Sequence, residues 1–86
     1  MTESQIQSKI LKYLRSRGGF VIKLSDKWVS GLPDIMYINK GVIHFFEVKT
    51  PKGVLSKIQR YTINKMNESG VKAHVVRSLN EVKEVI

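Results

Sequence analysis

The chain has 86 residues, enough for one domain, and a 42% hydrophobic content that suits a folded domain and not a disordered tail. Fifteen Lys and Arg against seven Asp and Glu give a net charge of +8, an excess that suits a polyanion such as nucleic acid, with a merely solvated basic surface as the plainer alternative. The absence of cysteine excludes disulfides and thiolate zinc sites; no apolar run nears the ~18 residues of a membrane span, and Met1-Thr2-Glu3-Ser4 lacks the layout of a signal peptide, so a soluble, cytoplasmic protein is expected (host cytoplasm if the source is viral).

Thr2 to Arg17 reads as an amphipathic helix. Thr2 with Gln5 makes a capping box, Ile6, Ile10, Tyr13 and Leu14 form the buried stripe, and Gly18-Gly19 ends it. Glu3 falls in the first turn, where the helix dipole favours a carboxylate. Phe20 to Leu24 is a short strand. Ser25 to Gly31 is a polar loop with Asp26, Lys27 and Trp28. Trp28 reads first as a lid over the core and second as a platform for a base, and Lys27 beside it as a nucleic-acid contact.

Two β-rich runs follow, Asp34 to Ile38 and Val42 to Lys49, separated by Asn39-Lys40-Gly41. A short polar break ending in Gly is a hairpin signal. With Lys40-Gly41 as the loop, Asn39 pairs with Val42 and Asp34 lies opposite Glu47, Cβ atoms about 4.5–5.5 Å apart. Lys49 shares that face, and Met36, Ile38, Ile43 and Phe45 form the hairpin interior. If Gly41 instead forms a bulge after a three-residue loop, the register moves by one, and the convergence depends on that choice. Val42 to Phe46 is apolar on both faces apart from His44, as in a central strand covered on both sides. His44 points away from Glu47 and reads as structural, His74 as isolated on a later strand, and no His spacing suggests zinc.

Thr50 to Val54 is a turn around Pro51 and Gly53, flanked by Lys52 and Lys57 where a phosphate backbone would pass. Ser56 caps a helix to about Asn67, with Ile58, Tyr61, Thr62 and Met66 on the inner face and Gly70 ending it. Gln59, taken by itself, is a solvated surface residue. Val71 to Arg77 is the last strand, and Ser78 with Glu81 makes a capping box for a terminal helix through Val82 and Val85. The order is α-β-β-β-α-β plus a small helix, a single domain over 1–86.

Like charges directly opposite on a sheet are destabilising, and a chain with seven acidic residues has little structural reason to pair two. A divalent cation removes the conflict, since Mg²⁺ is typically held by one or two carboxylates plus phosphate oxygens and water. Water on such an ion is a nucleophile at neutral pH, and Lys49 would hold the scissile phosphate or orient that water. This is the chemistry of metal-assisted phosphodiester hydrolysis.

Pro33-Asp34 followed by Glu47-Val48-Lys49 resembles the PD-(D/E)XK nuclease signature. With Gly31-Leu32 before it and Gly53-Val54-Leu55-Ser56 and Gln59 after it, the pattern is similar to the virus-type replication-repair nuclease (VRR-NUC) domain from Glu3 to about Arg77. The resemblance implies an α/β PD-(D/E)XK core, αβββαβ with a mixed sheet flanked by helices. It implies Asp34, Glu47, Lys49 and Gln59 as catalytic residues. It also implies Mg²⁺ or Mn²⁺ held by Asp34, Glu47, the carbonyl of Val48, and Glu3 as an outer ligand.

Stand-alone members of that family resemble Holliday-junction resolvases, small homodimers acting on four-way DNA, whereas members fused to larger proteins act on flaps. A chain that buries only about 60–65% of its unfolded surface also has reason to pair with a second copy. Two other classes remain: a non-catalytic nucleic-acid-binding module on the same fold, and a basic structural protein of some larger particle.

Overall fold

The computed structural model describes residues 1–26 and 29–86, so the expectations for Lys27 and Trp28 lie outside the described residues. Helix α1 (Glu3–Arg17) leads into strand β1 (Phe20–Lys23) and a single 3₁₀ turn, Leu24–Asp26. Strands β2 (Ile35–Asn39) and β3 (Val42–Val48) follow, then α2 (Lys57–Glu68), β4 (Lys72–Val76) and α3 (Leu79–Val85). The element order is the one anticipated. One four-stranded sheet has the order β1-β2-β3-β4, with β1, β2 and β3 antiparallel and β4 parallel to β3 through the α2 crossover.

The hairpin register is settled by its turn. Lys40 (φ 52°) and Gly41 (φ 80°) both lie in the left-handed region, the backbone of a two-residue type I′ loop that matches strand twist. Asn39 accordingly pairs with Val42 and Ile35 with Phe46. No bulge shifts the frame, and Asp34 and Glu47 stand at corresponding positions one step beyond.

The main core lies on the face that α1 and α3 cover. Ile6, Ile10, Leu11 and Leu14 of α1 and Val82 of α3 pack on Ile35, Tyr37, Phe46, Val48 and Val76. Side chains alternate along a strand, so this is the opposite face from the anticipated interior. Met36, Ile38 and Phe45 are only half-buried, and Ile43 is exposed. The physical reason is cover. On that second face the one helix among the described residues is α2, which packs on β4, leaving the β1–β2 side half open.

Other residues also depart from the expectation. Tyr13 is half-buried because it flanks the stripe, its ring 5.8 Å from the Arg17 guanidinium and 4.9 Å from the Lys83 ammonium, and Leu11 takes the buried place. On α2, Ile63 is buried while Ile58 and Tyr61 are exposed. Thr62 and Met66 are half-buried. His74 is not isolated: its Nε2 lies 3.2 Å from Nδ1 of His44, and the two rings stack with Phe46. Burial, together with the Lys72 charge, holds both imidazoles below their usual range, so the pair is neutral near pH 7.

Capping follows the sequence closely. Thr2 with Gln5 and Ser56 with Gln59 form complete capping boxes. At α3 the box is half made. Ser78 Oγ accepts from Glu81 N at 3.2 Å, but Glu81 Oε1 accepts from Arg77 N at 2.6 Å, one residue further back.

The two faces should respond differently to truncation. Leu14→Ala, at a site with no solvent exposure, should cost about 2–5 kcal/mol in urea unfolding. Tyr61→Ala, on the exposed flank of α2, should stay within about 0.5 kcal/mol of the parent.

Candidate active site

Asp34 immediately precedes β2 and Glu47 is the next-to-last residue of β3, so the hairpin brings them to the same end of the sheet. Three hydrogen bonds hold Asp34. Its carbonyl accepts from Leu24 N at 2.6 Å and Ser25 N at 3.1 Å, which ties it to the 3₁₀ turn. Its Oδ2 accepts from Val48 N at 2.8 Å. A carboxylate thus takes the hydrogen bond of a strand amide where the β2–β3 ladder has ended.

Glu47 is only 1% exposed. Its Oε2 accepts from Gln59 Nε2 at 3.3 Å and lies 3.8 Å from Lys49 Nζ. Its Oε1 is buried and has no hydrogen-bond partner. Glu3 is supplied by the first turn of α1, and one oxygen each of Glu3, Asp34 and Glu47 lie within 4.8 Å of one another. Burial first, and then the Asp34 charge, push the Glu47 carboxyl up to about 8, against the opposing pull of Lys49.

A buried carboxylate with an orphaned oxygen, facing two more carboxylates, is costly unless a cation completes it. The donors are all hard oxygens, the set that Mg²⁺ and Mn²⁺ prefer. The residues present therefore fit a divalent metal ion, and this acidic triad could hold one.

Gln59 has two jobs in one side chain. Its Oε1 accepts from Ser56 N at 2.9 Å to close the capping box, and its Nε2 reaches Glu47. The cap orients the amide, so the same local signal that starts α2 aims a donor at the acidic cluster.

Gly31 docks the chain leading to Asp34 against α2. At φ +81° an added Cβ would meet Thr62 Oγ1 at 2.7 Å, Ile58 Cγ1 at 2.8 Å and Ile58 O at 2.9 Å. Only a residue with no side chain fits that approach.

Of the residues anticipated from sequence, Glu3, Asp34, Glu47, Lys49 and Gln59 come together. Val48 enters through its N–H, which Asp34 binds. Lys52 and Lys57 are exposed on the surface, in the loop after Lys49 and at the start of α2.

Sequence reasoning missed Arg77. From the end of β4 its Nη1 donates to Thr50 O at 2.6 Å and Gly53 O at 2.7 Å, with Pro51 O at 3.5 Å. These bonds fasten the turn that follows Lys49. No local signal marks it, because its partners are 24 to 27 residues away in the chain.

The mixed sheet with helices on both faces and an acidic, lysine-bearing hairpin end defines a nuclease domain of the PD-(D/E)XK type. The VRR-NUC domain family matches residues 2–80, and the chain belongs to that family. A solved structure described as a VRR-NUC domain is 28% identical, with a TM-score of 0.84 over 99% of this chain and 95% of that one. A second, described as a VRR-NUC domain protein, shares the fold at 18% identity and a TM-score of 0.76, over 99% of this chain and 84% of that one. No curated protein matches.

Glu47 makes stability depend on pH. Its proton is held more tightly in the folded chain (about 8) than at the ordinary value of 4.5. Between those values the native state binds more protons, so stability from this group is full below 4.5 and falls as pH rises toward 8. In EDTA, the melting temperature of Glu47→Gln should lose this component of the slope, and Mg²⁺ should flatten it in the parent. Separately, Arg77→Met should cost about 1.5–3 kcal/mol and speed hydrogen exchange at the Gly53 amide, which bonds Thr50 O.

Proposed function

We propose that the chain is a divalent-metal-dependent DNA endonuclease that cuts four-way junctions as a homodimer. The observation that carries the nuclease reading is the buried, unpartnered Oε1 of Glu47 inside the Glu3, Asp34 and Glu47 cluster. In this reading Asp34 and Glu47 hold Mg²⁺ or Mn²⁺ with the Val48 carbonyl, and Glu3 serves as an outer ligand. The ion, when bound, supplies Lewis acidity and a water of lowered pKa.

The chain's own groups do the rest. Lys49 places its ammonium beside Glu47, where it meets the scissile phosphate or orients the attacking water and offsets charge developing on the phosphoryl oxygens. Gln59 restrains the Glu47 carboxylate through Oε2. Arg77 keeps the Thr50–Gly53 turn in place behind Lys49. Lys52 and Lys57, with Lys27, contact the DNA backbone.

Symmetry supports the junction reading. The described residues carry one such cluster, and a four-way junction must be cut on two strands. A C2 pair supplies two sites related by the axis of the substrate. Flap cleavage on the same site is the runner-up.

The deciding assay offers a four-way junction, a flap and a linear duplex with Mg²⁺, Mn²⁺ or EDTA, alongside light scattering. The expected outcome is a dimer that nicks the junction symmetrically, hardly touches linear duplex, and stops in EDTA. Asp34→Asn and Glu47→Gln should abolish cutting while remaining folded. Lys49→Ala should lose about 10²-fold or more, and Gln59→Ala about 10- to 100-fold. Affinity should fall by about 10³–10⁵ between roughly 50 and 200 mM salt if 6–10 phosphates are contacted. A monomer that prefers flaps would overturn the junction reading, and a folded protein with no metal-dependent cutting would overturn the nuclease.

A further inference from the structure

Three apolar side chains stand out in water at the start of α2. Val54 is 76% exposed, Ile58 48% and Tyr61 60%. Isolated exposed hydrophobes need no explanation, but a run of them beside a functional site does. Ile58 and Tyr61 are one turn apart on the same flank of the helix, and Val54 lies just ahead of its cap. Ile58 abuts Gly31, three residues before Asp34, so the strip borders the segment that carries a carboxylate of the acidic cluster.

Its surroundings are cationic. Lys57, Arg60 and Lys65 are all exposed along α2. Lys65 Nζ lies 5.9 Å from the centroid of the Tyr61 ring. The lone carboxylate of α2, Glu68, is 3.9 Å from Lys65. An apolar protein partner would have to bury or neutralise these cations. A nucleotide brings both halves of what the surface lacks, a phosphate for the cations and an aromatic face for Tyr61 and Ile58.

We propose that Ile58 and Tyr61 form a platform on which nucleobases left without a stacking neighbour, whether at an open branch point or in a single strand, are stacked, with Tyr61 as the stacking ring and Lys57 and Arg60 taking the flanking phosphates. The proposal rests on the nucleic-acid part of the reading above and extends it. In continuous duplex both base faces are covered by their neighbours, whereas at the open centre of a junction the paired bases lose one stacking neighbour and in a single strand both faces are accessible. The strip therefore favours DNA with unstacked bases over continuous duplex. Base–aromatic stacking tolerates any base, so the platform confers preference for structure and not for sequence.

The test is binding in EDTA, where cutting does not interfere. A 20-nucleotide single strand and the duplex of the same sequence serve as probes, read by fluorescence anisotropy. Tyr61→Ala should weaken the single strand about tenfold and the duplex less than twofold, and Tyr61→Phe should bind both like the parent. Equal loss on both probes, or no loss on either, overturns the platform. So does conversion of a dimer to a monomer by Tyr61→Ala in light scattering, which would make the strip a surface between copies. A four-way junction is the third probe: if the parent binds none of the three, the nucleic-acid reading fails with the platform; if it binds the junction but not the single strand, or binds the single strand and Tyr61→Ala is silent, the platform alone fails.

Discussion

A carboxylate buried to 1% exposure with one oxygen unpartnered is the constraint around which this domain is arranged. Glu47 sits on the central strand among Asp34, Glu3, Lys49 and Gln59, and each neighbour acts on its charge. Asp34 and Glu3 raise the cost of ionising it, while Lys49 lowers that cost, and Gln59 donates to it. Such a group is tolerable in two states, protonated or completed by a cation. The site is thus poised between them, and a divalent ion would release the proton and relieve the repulsion together.

Holding that arrangement takes contacts from much of the chain. A two-residue turn at Lys40-Gly41 sets the register that brings Asp34 to Glu47. The 3₁₀ turn after β1 fixes the Asp34 backbone, and the N-cap of α2 fixes Gln59. Gly31 lets the Asp34 segment lie against α2, and Arg77 fastens the turn behind Lys49 from the end of the neighbouring strand β4. The first turn of α1 delivers Glu3 although the helix covers the opposite face. The acidic residues come from separate elements, so their geometry is a property of the packed domain.

The sheet is asymmetric for the same reason. One face is sealed by α1 and α3 and holds most of the core. The other carries the acidic cluster and, among the described residues, has α2 as its helical cover, packed toward β4. A fully covered second face would bury the place where a substrate must enter. The half-open β1–β2 side and the bare apolar flank of α2 accompany that access, and the neutral His44–His74 pair stays on the sealed side as part of the packing.

What the sequence determined by itself was local or periodic. The element order, the capping residues and the hairpin chemistry at Asn39-Lys40-Gly41 are short-range signals, and spacing along two strands brings Asp34, Glu47 and Lys49 to one end provided that the loop has two residues. It left the choice of turn open, because Gly41 suits a type I′ loop and a bulge alike; the backbone at Lys40 decided it. Which face of the hairpin is the core could not be read from alternation, since Val42 to Phe46 is apolar on both sides, and the helices that cover each face come from distant parts of the chain. Only the tertiary structure paired His44 with His74, placed Arg77 on carbonyls 24 and 27 residues away, and left Tyr61 in water. These are contacts between separated elements, and residue spacing carries information about a face only within an element.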